Sequence, residues 1–242
     1  MIQRAAEVIT LPVRRGAEAA GAHARVMLDW SSNQVDDWGR DPDFAARIWR
    51  LARLRWDVTV GGFNHLPRRA GALVVVNTRP LALAPIYTAL ALGAAIDRPV
   101  RFVGRPDVAP VGPFVQRLGG LLTRADELRN VLAAGNVVVL GAAPEWHPRR
   151  AGHVDHRLIG AAVAARVKVF PATTASAPLR RSARVEIDAE AVPNRRRGPL
   201  NELELADQVH TRIQRRLHEL GGTLTGTPLD WLPVSGMGGS TR

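Results

Sequence analysis

The chain has 242 residues, of which 46% are hydrophobic and 23% are charged, so it is long enough to bury one sizeable core. Lysine and arginine outnumber aspartate and glutamate by 33 to 22, which gives a formal net charge of +11. This composition excludes a disordered polymer, and the absence of cysteine excludes a disulfide framework, a thiol nucleophile and a thiolate metal site.

Residues 1–40 are predicted to form a polar, irregular N-terminal segment. A turn is expected near its end, at residues 36–39 (DDWG). The first residues lack the continuous apolar run of a secretory signal. We therefore expect the protein to remain in the cytoplasm.

Residues 41–57 are predicted to form a basic amphipathic helix. Apolar side chains recur at helical spacing, at Phe44, Ile48, Leu51 and Ala52. Arginines lie among them, at Arg47, Arg50, Arg53 and Arg55. Such a helix can lie on an anionic membrane surface, with Arg47, Arg50 and Arg53 as the contact residues at the inner face of the membrane. A helix packed on the domain with its arginines in water is the alternative.

Short β-rich runs alternate with helical patterns along the rest of the chain. Strands are predicted at residues 56–60, 72–76, 100–103, 136–140, 167–171 and 183–187. Helices are predicted at 81–93, 111–118, 125–134, 156–165 and 201–220. The alternation and the continuous apolar strands predict an α/β sheet covered on both faces, in one domain over residues 41–222. The tail, residues 223–242, is rich in Gly, Ser, Thr and Pro and is expected to be mobile.

Several signatures of common enzymes are missing. The sequence has no G-x-x-x-x-G-K-[ST] loop, no G-x-G-x-x-G after a strand and no G-x-S-x-G elbow. Nucleotide-binding sites of those two types and a serine hydrolase of the elbow type are therefore not expected.

A series of segments carries a family resemblance by its order and spacing. The series comprises residues 56–62 (WDVTVGG), 64–67 (NHLP), 71–77 (GALVVVN), 98–103, 110–119, 120–124, 132–140 and 167–171, and a closing helix with Ile213 and Leu217. Over residues 40–221 the chain resembles the glycerolipid acyltransferases of the lysophosphatidate acyltransferase type. The resemblance implies a mixed, largely parallel sheet flanked by helices, with an amphipathic helical segment at the N-terminus. It also implies acyl-CoA or acyl carrier protein as the acyl donor of an active member, and no other cofactor.

The catalytic dyad of that family is absent. In the family, Asn-His is followed by four residues and an aspartate; the histidine is the general base and the aspartate orients it. Here Asn77 is followed by Thr78 at the histidine position and by Leu83 at the aspartate position. No acidic residue lies five positions beyond any of the seven histidines. We therefore predict a catalytically degenerate member of the family.

The remaining family motifs are partly kept. Arg124 matches the arginine that binds the acceptor's phosphate, and Glu145 matches the family's Phe-Pro-Glu-Gly motif after a slip of two residues. Trp146 stands where the family has glycine, and an indole is expected to fill the space that glycine leaves for the acceptor. Pro171 keeps the last motif, whose role is mainly structural.

A second group of polar residues competes for a catalytic role. Glu145, His147, His153, Asp155 and His156 lie close together in the chain. Their spacing matches no metal signature, so no metal is predicted. The three histidines remain candidates for an altered acid or base.

Three functions are consistent with these features. The first is a membrane-associated, acyltransferase-like protein of phospholipid metabolism that binds anionic lipid, or a partner such as an active acyltransferase or another lipid enzyme. The second is a working acyltransferase with altered chemistry at His147, His153 or His156. The third is a nucleic-acid-binding protein that uses basic clusters such as residues 195–197. Aromatic residues are only 5% of the chain and do not alternate with the arginines, which argues against nucleic acid.

Overall fold

The computed structural model describes residues 35–55, 57–80, 83–147, 149–176, 182–193 and 200–220. Its strands are β1 (Asp57–Gly61), β2 (Ala72–Val76), β3 (Val100–Val103), β4 (Gly120–Leu121), β5 (Val137–Gly141), β6 (Lys168–Ser176) and β7 (Ser182–Ile187). Its α-helices are α1 (Pro42–Arg55), α2 (Ala84–Ile96), α3 (Val111–Arg117), α4 (Ala125–Ala133), α5 (His156–Ala164) and α6 (Leu200–Glu219). A short 3-10 helix spans Phe63–His65.

The seven strands form one sheet in the order β1-β7-β6-β2-β5-β3-β4. Strands β6, β2, β5, β3 and β4 run parallel, whereas β7 is antiparallel to β6, and β1 is parallel to β7. The prediction of a mixed, largely parallel α/β sheet is confirmed. The five parallel strands end at one side of the sheet, next to Val76 and Gly141, which is termed the carboxyl edge; the opposite side is the amino edge.

Alternating side chains of the buried strands divide the core between the two faces of the sheet. On one face Leu73 and Val75 of β2 pack with buried residues of α4, α5 and α6. On the other face Val74 and Val76 pack with α1 and α2. All five residues of β2 are buried, which is why this strand is apolar at every position rather than at every second one.

Most predicted elements are confirmed within one or two residues, but two boundaries are wrong. Helix α2 starts at Ala84 rather than at residue 81, with Pro85 in its first turn, and it continues to Ile96. Strand β6 continues five residues beyond Pro171, because its second half pairs with β7 from Ala172 onward. The predicted turn near Asp36 is confirmed by a hydrogen bond from the Gly39 amide to the Asp36 carbonyl.

Helix α1 is amphipathic, and only the start of its apolar face is buried. Phe44 and Ala45 are buried, whereas Leu51 is 61% exposed and Leu54 is 71% exposed. Of the apolar positions that predicted the helix, Phe44 is therefore covered by the domain and Leu51 is not. No helix in the described part of the chain is both long enough and apolar enough to cross a bilayer.

Two ion pairs attach the start of α1 to the rest of the domain. Asp36 contacts Nη2 of the buried Arg101 in β3 at 2.5 Å. The buried Asp41 pairs with Arg117 at 2.8 Å and accepts a hydrogen bond from the Phe44 amide, which caps α1. The segment before α1 is therefore packed on the domain from Asp36 onward.

Candidate functional site

The candidate site lies at the carboxyl edge, where the segments that follow the parallel strands meet. Thr78 and Arg79 follow β2, the Ala142–Trp146 segment follows β5, Arg105 follows β3 and Arg124 follows β4. The structure therefore brings three of the predicted motif positions to one edge of the sheet. These positions are far apart in the sequence, and the parallel strands place them next to each other.

Thr78, predicted to stand at the histidine position, is hydrogen-bonded to the backbone of the segment that follows β5. It is 8% exposed, and its hydroxyl donates a hydrogen bond of 2.6 Å to the carbonyl of Ala142. Its own carbonyl accepts from the amide of Glu145 at 3.1 Å. The segment after β5 is thus tied to the segment after β2 through both the side chain and the backbone of Thr78.

Gly141 permits the close approach of these two segments. A Cβ atom at this position would lie 2.7 Å from Cγ2 of Thr78 and 3.0 Å from Cγ of Pro85. Both distances are shorter than ordinary carbon contacts, so a larger residue would separate β5 from the start of α2. The space beside Thr78 is therefore narrow on its β5 side.

Asn77 holds the polypeptide in place just before Thr78. Its buried side chain accepts a hydrogen bond from the Thr174 amide at 2.7 Å and donates one to the Thr174 carbonyl at 3.2 Å. The amide group thus extends the pairing of β2 with β6 by one step beyond the strand. This role of Asn77 was not predicted from the motif that contains it.

Leu83, at the family's aspartate position, lies just before α2 and is 38% exposed. An aliphatic side chain neither accepts a proton nor orients an imidazole. The two residues predicted to stand at the dyad positions therefore supply a hydroxyl that donates to a carbonyl and a hydrocarbon side chain. Residues 81 and 82 lie outside the described residues.

Arg79 fixes the position of Trp146. The Arg79 Nη2 atom donates a hydrogen bond of 2.6 Å to the carbonyl of Trp146. The indole is 66% exposed, so it does not fill the space beside the site as predicted. The reason is that the backbone of residues 145–146 is held against residues 78–79, which turns the side chain of Trp146 outward.

The predicted phosphate-binding arginine is exposed at the same edge. Arg124 is paired through Nη2 with Asp126 at 3.1 Å, and both side chains are about two-thirds exposed, at 64% and 60%. The pKa of Asp126 is lowered, first by a hydrogen bond from the Glu127 backbone and then by the charge of Arg124. The role of Arg124 in binding phosphate stays a prediction.

A second arginine at the carboxyl edge was missed by the sequence analysis. Arg105 follows β3, and its Nε atom is buried with no hydrogen-bond partner among the described residues. Its Nη1 atom lies 3.5 Å from Oε1 of Gln116. The signal available in the sequence was its position directly after a buried strand and Gly104.

The loop that carries the predicted histidines is held together by short-range contacts. Glu145 is half-buried and accepts a hydrogen bond from the His147 amide at 3.2 Å, while the His147 ring accepts one from the Arg149 amide. His153 is exposed, and its carbonyl accepts from the Ala143 amide at 2.7 Å. Within the described ranges, none of these histidine rings hydrogen-bonds to Glu145.

The end of this loop starts a helix. The Asp155 carboxylate accepts from the Arg157 amide at 2.9 Å and so caps α5, of which His156 is the first residue. Among the residues that the structure describes, no group of three His, Asp or Glu side chains is placed to hold a metal ion. The use of His147, His153 or His156 as an acid or base stays a prediction.

Comparison with known proteins gives a structural match only. No protein-family profile matches the chain, and no curated protein sequence matches it. The solved structure of the 1-acyl-sn-glycerophosphate (LPA) acyltransferase PlsC from Thermotoga maritima is similar, with a TM-score of 0.56 and 17% sequence identity. The match covers 76% of this chain and 82% of that chain. The protein therefore has an acyltransferase-like fold.

Proposed function

We propose that this protein binds lipid, or a partner enzyme of lipid metabolism, at the inner face of the membrane and does not transfer acyl groups by the histidine-aspartate mechanism. The observation that carries the proposal is the hydroxyl of Thr78, which donates its hydrogen bond to the Ala142 carbonyl at 2.6 Å. A threonine hydroxyl does not take up a proton near neutral pH, and loss of a general base costs about 10²- to 10⁴-fold in rate. Leu83 leaves nothing to compensate for this loss.

Membrane association is supported by the exposed end of α1. Arg47, Arg50 and Arg53 are exposed, together with the apolar Leu51 and Leu54. Each exposed cation near an anionic bilayer contributes about 1 kcal/mol, and apolar side chains between the cations add buried area. Exposed arginines with apolar side chains between them therefore favour contact of this helix end with an anionic lipid surface over exposure to solvent.

The direction of β1 supports an orientation of this face. Because β1 runs opposite to β2, its first residue Asp57 lies at the carboxyl edge, beyond the level of Thr78. Helix α1 leads into β1, so its C-terminal half with Leu54 lies at the same end of the domain as the candidate site. A membrane bound there would face the site, where Arg124 and Glu145 are the candidate contacts for the phosphate and the acceptor.

Vesicle flotation tests the membrane part of the proposal. Vesicles of phosphatidylglycerol and phosphatidylcholine should retain the protein, and vesicles of phosphatidylcholine alone should not. Replacement of Arg47, Arg50 and Arg53 by glutamine should reduce retention. The matched control replaces three other exposed arginines, Arg68, Arg69 and Arg129, and removes the same charge. Equal losses in the two triple variants would contradict a role for α1.

A turnover assay tests the catalytic part. Purified protein with lysophosphatidate and acyl-CoA, or with acyl carrier protein as donor, should show no acyl transfer. The alternative, an active acyltransferase with altered chemistry, predicts turnover that is lost in His153→Ala or His156→Ala. Turnover with that dependence would overturn the proposal.

A further inference from the structure

The charged cluster that attaches α1 to the domain contains one more arginine than it has carboxylates. Asp36 is paired with Arg101 and Asp41 with Arg117. The third arginine, Arg40, lies beside both pairs, and its Nε atom is buried with no hydrogen-bond partner among the described residues. Burial and the nearby charge of Arg101 lower the pKa of Arg40, although the charges of Asp36 and Asp41 act in the opposite direction. An arginine remains charged even so, and in this cluster three guanidinium groups share two carboxylates.

Arg40 also lines a cavity of about 300 Å³ at the amino edge, between α1 and α2. The walls of the cavity are mainly small or apolar, with Ala45, Ala46, Trp49, Leu90 and Ala94 among them. This volume is at the lower end of the range that small-molecule sites occupy, about 300 to 1,000 Å³. The cavity therefore offers the charge of Arg40 next to apolar side chains, in a lining that also contains polar groups.

Of the charged residues that line the cavity, Arg40 is the one suited to pair with an anion. The guanidinium of Arg98 donates to the carbonyls of Pro67, Arg68 and Gly135, among others, and is committed to the backbone. Asp97 lies at the exposed rim and would repel an anion of higher charge. The lining thus combines one cation that is not committed to backbone carbonyls with three carboxylates nearby, Asp36, Asp41 and Asp97, which favours a singly charged head group over a doubly charged phosphate.

We infer that this cavity binds an anionic amphiphile with a carboxylate head, such as a medium-chain fatty acid. The carboxylate pairs with the guanidinium of Arg40, and the hydrocarbon chain lies along the alanines and Trp49. The ligand supplies the charge that the cluster lacks and covers apolar surface between the helices. The cavity is at the amino edge, so it is separate from the site around Thr78 at the carboxyl edge.

Titration calorimetry with decanoate, below its micelle concentration, tests the inference. Wild-type protein should bind one decanoate per chain, and Arg40→Gln should bind at least about tenfold more weakly, because a charge-assisted pair is lost. Ala46→Leu fills the cavity from an exposed position and keeps the charge cluster, and it should also weaken binding. The matched controls are Arg129→Gln and Ala95→Leu, exposed residues outside the cavity, which should bind as wild type does.

Two further ligands and one stability measurement sharpen the test. Decanol should bind far more weakly than decanoate, and decyl phosphate should not bind more tightly. Without ligand, Arg40→Met should melt at a higher temperature than wild type, because it removes one positive charge from a cluster in which three arginines share two carboxylates. Equal decanoate binding by wild type, Arg40→Gln and Ala46→Leu would overturn the inference, as would equal binding of decanol or tighter binding of decyl phosphate. A lower melting temperature for Arg40→Met would contradict the premise that the cluster carries unfavourable surplus positive charge, on which the inference depends.

Discussion

Replacing Thr78 by valine separates a structural role of this residue from a catalytic one. Valine has nearly the same shape, so the substitution removes the hydroxyl and leaves the packing beside Gly141 in place. The substitution removes the 2.6 Å hydrogen bond to Ala142, so the carbonyl of that buried residue loses this donor. A buried hydrogen bond of this kind contributes about 1 kcal/mol, and an unpaired buried carbonyl adds to the loss. We expect Thr78→Val to lower the free energy of unfolding by about 1 to 2 kcal/mol.

Urea denaturation at pH 7 measures this change, which should appear as a lower midpoint with an unchanged slope. In a thermal scan it corresponds to a decrease of about 2 to 8 °C for a domain of this size. The matched control is Thr123→Val, because Thr123 is exposed at the same edge of the sheet, and its stability should change by less than about 0.5 kcal/mol. Equal effects of the two substitutions would refute the hydrogen-bond argument. Loss of a measurable acyl transfer in Thr78→Val, at unchanged stability, would refute the proposal that the site is degenerate.

Three other substitutions test the scaffold around the site. Asp41→Ala breaks a buried ion pair and a helix cap, and should cost about 3 to 5 kcal/mol in urea denaturation, whereas Asp43→Ala, at an exposed position of the same helix turn, should cost far less. Gly141→Ala forces a Cβ atom against Thr78 and Pro85 and should cost about 1 to 3 kcal/mol; a melting temperature equal to that of wild type would contradict the tight contact. Burial by itself would raise the pKa of Asp36, but the hydrogen bond and charge of Arg101, with the amides of Arg40 and Trp38, hold it below its usual value. This stabilisation is therefore complete above the unfolded pKa of about 3.9 and is lost as the pH falls through the lower folded pKa. Urea midpoints measured from pH 7 to pH 2.5 should converge for wild type and Asp36→Asn at the acidic end, and a constant difference would contradict the assignment.

Local patterns in the sequence were sufficient to place most of the elements, and they carry the prediction that the dyad is lost. The run at residues 72–76 is apolar at every position, which predicts a strand buried on both faces, and the structure confirms it. Thr78 and Leu83 are visible as departures from a motif because a motif is a property of neighbouring residues. For the same reason the helices could be placed with small errors, since helical periodicity and turn residues act over a few positions.

Only the tertiary structure decided which distant residues meet. The contacts of Thr78 with Ala142 and of Asp36 with Arg101 each join residues more than sixty positions apart, and no local pattern encodes such a distance. The same limit applies to exposure: Leu51 has the spacing of a core residue but no neighbour covers it. This limit also applies to charge. The net charge of +11 does not reveal that Arg40 shares two carboxylates with two other arginines, because that arrangement depends on the fold. Periodicity is set by the adjacent turns of a single element, whereas burial and charge balance are set by the path of the whole chain.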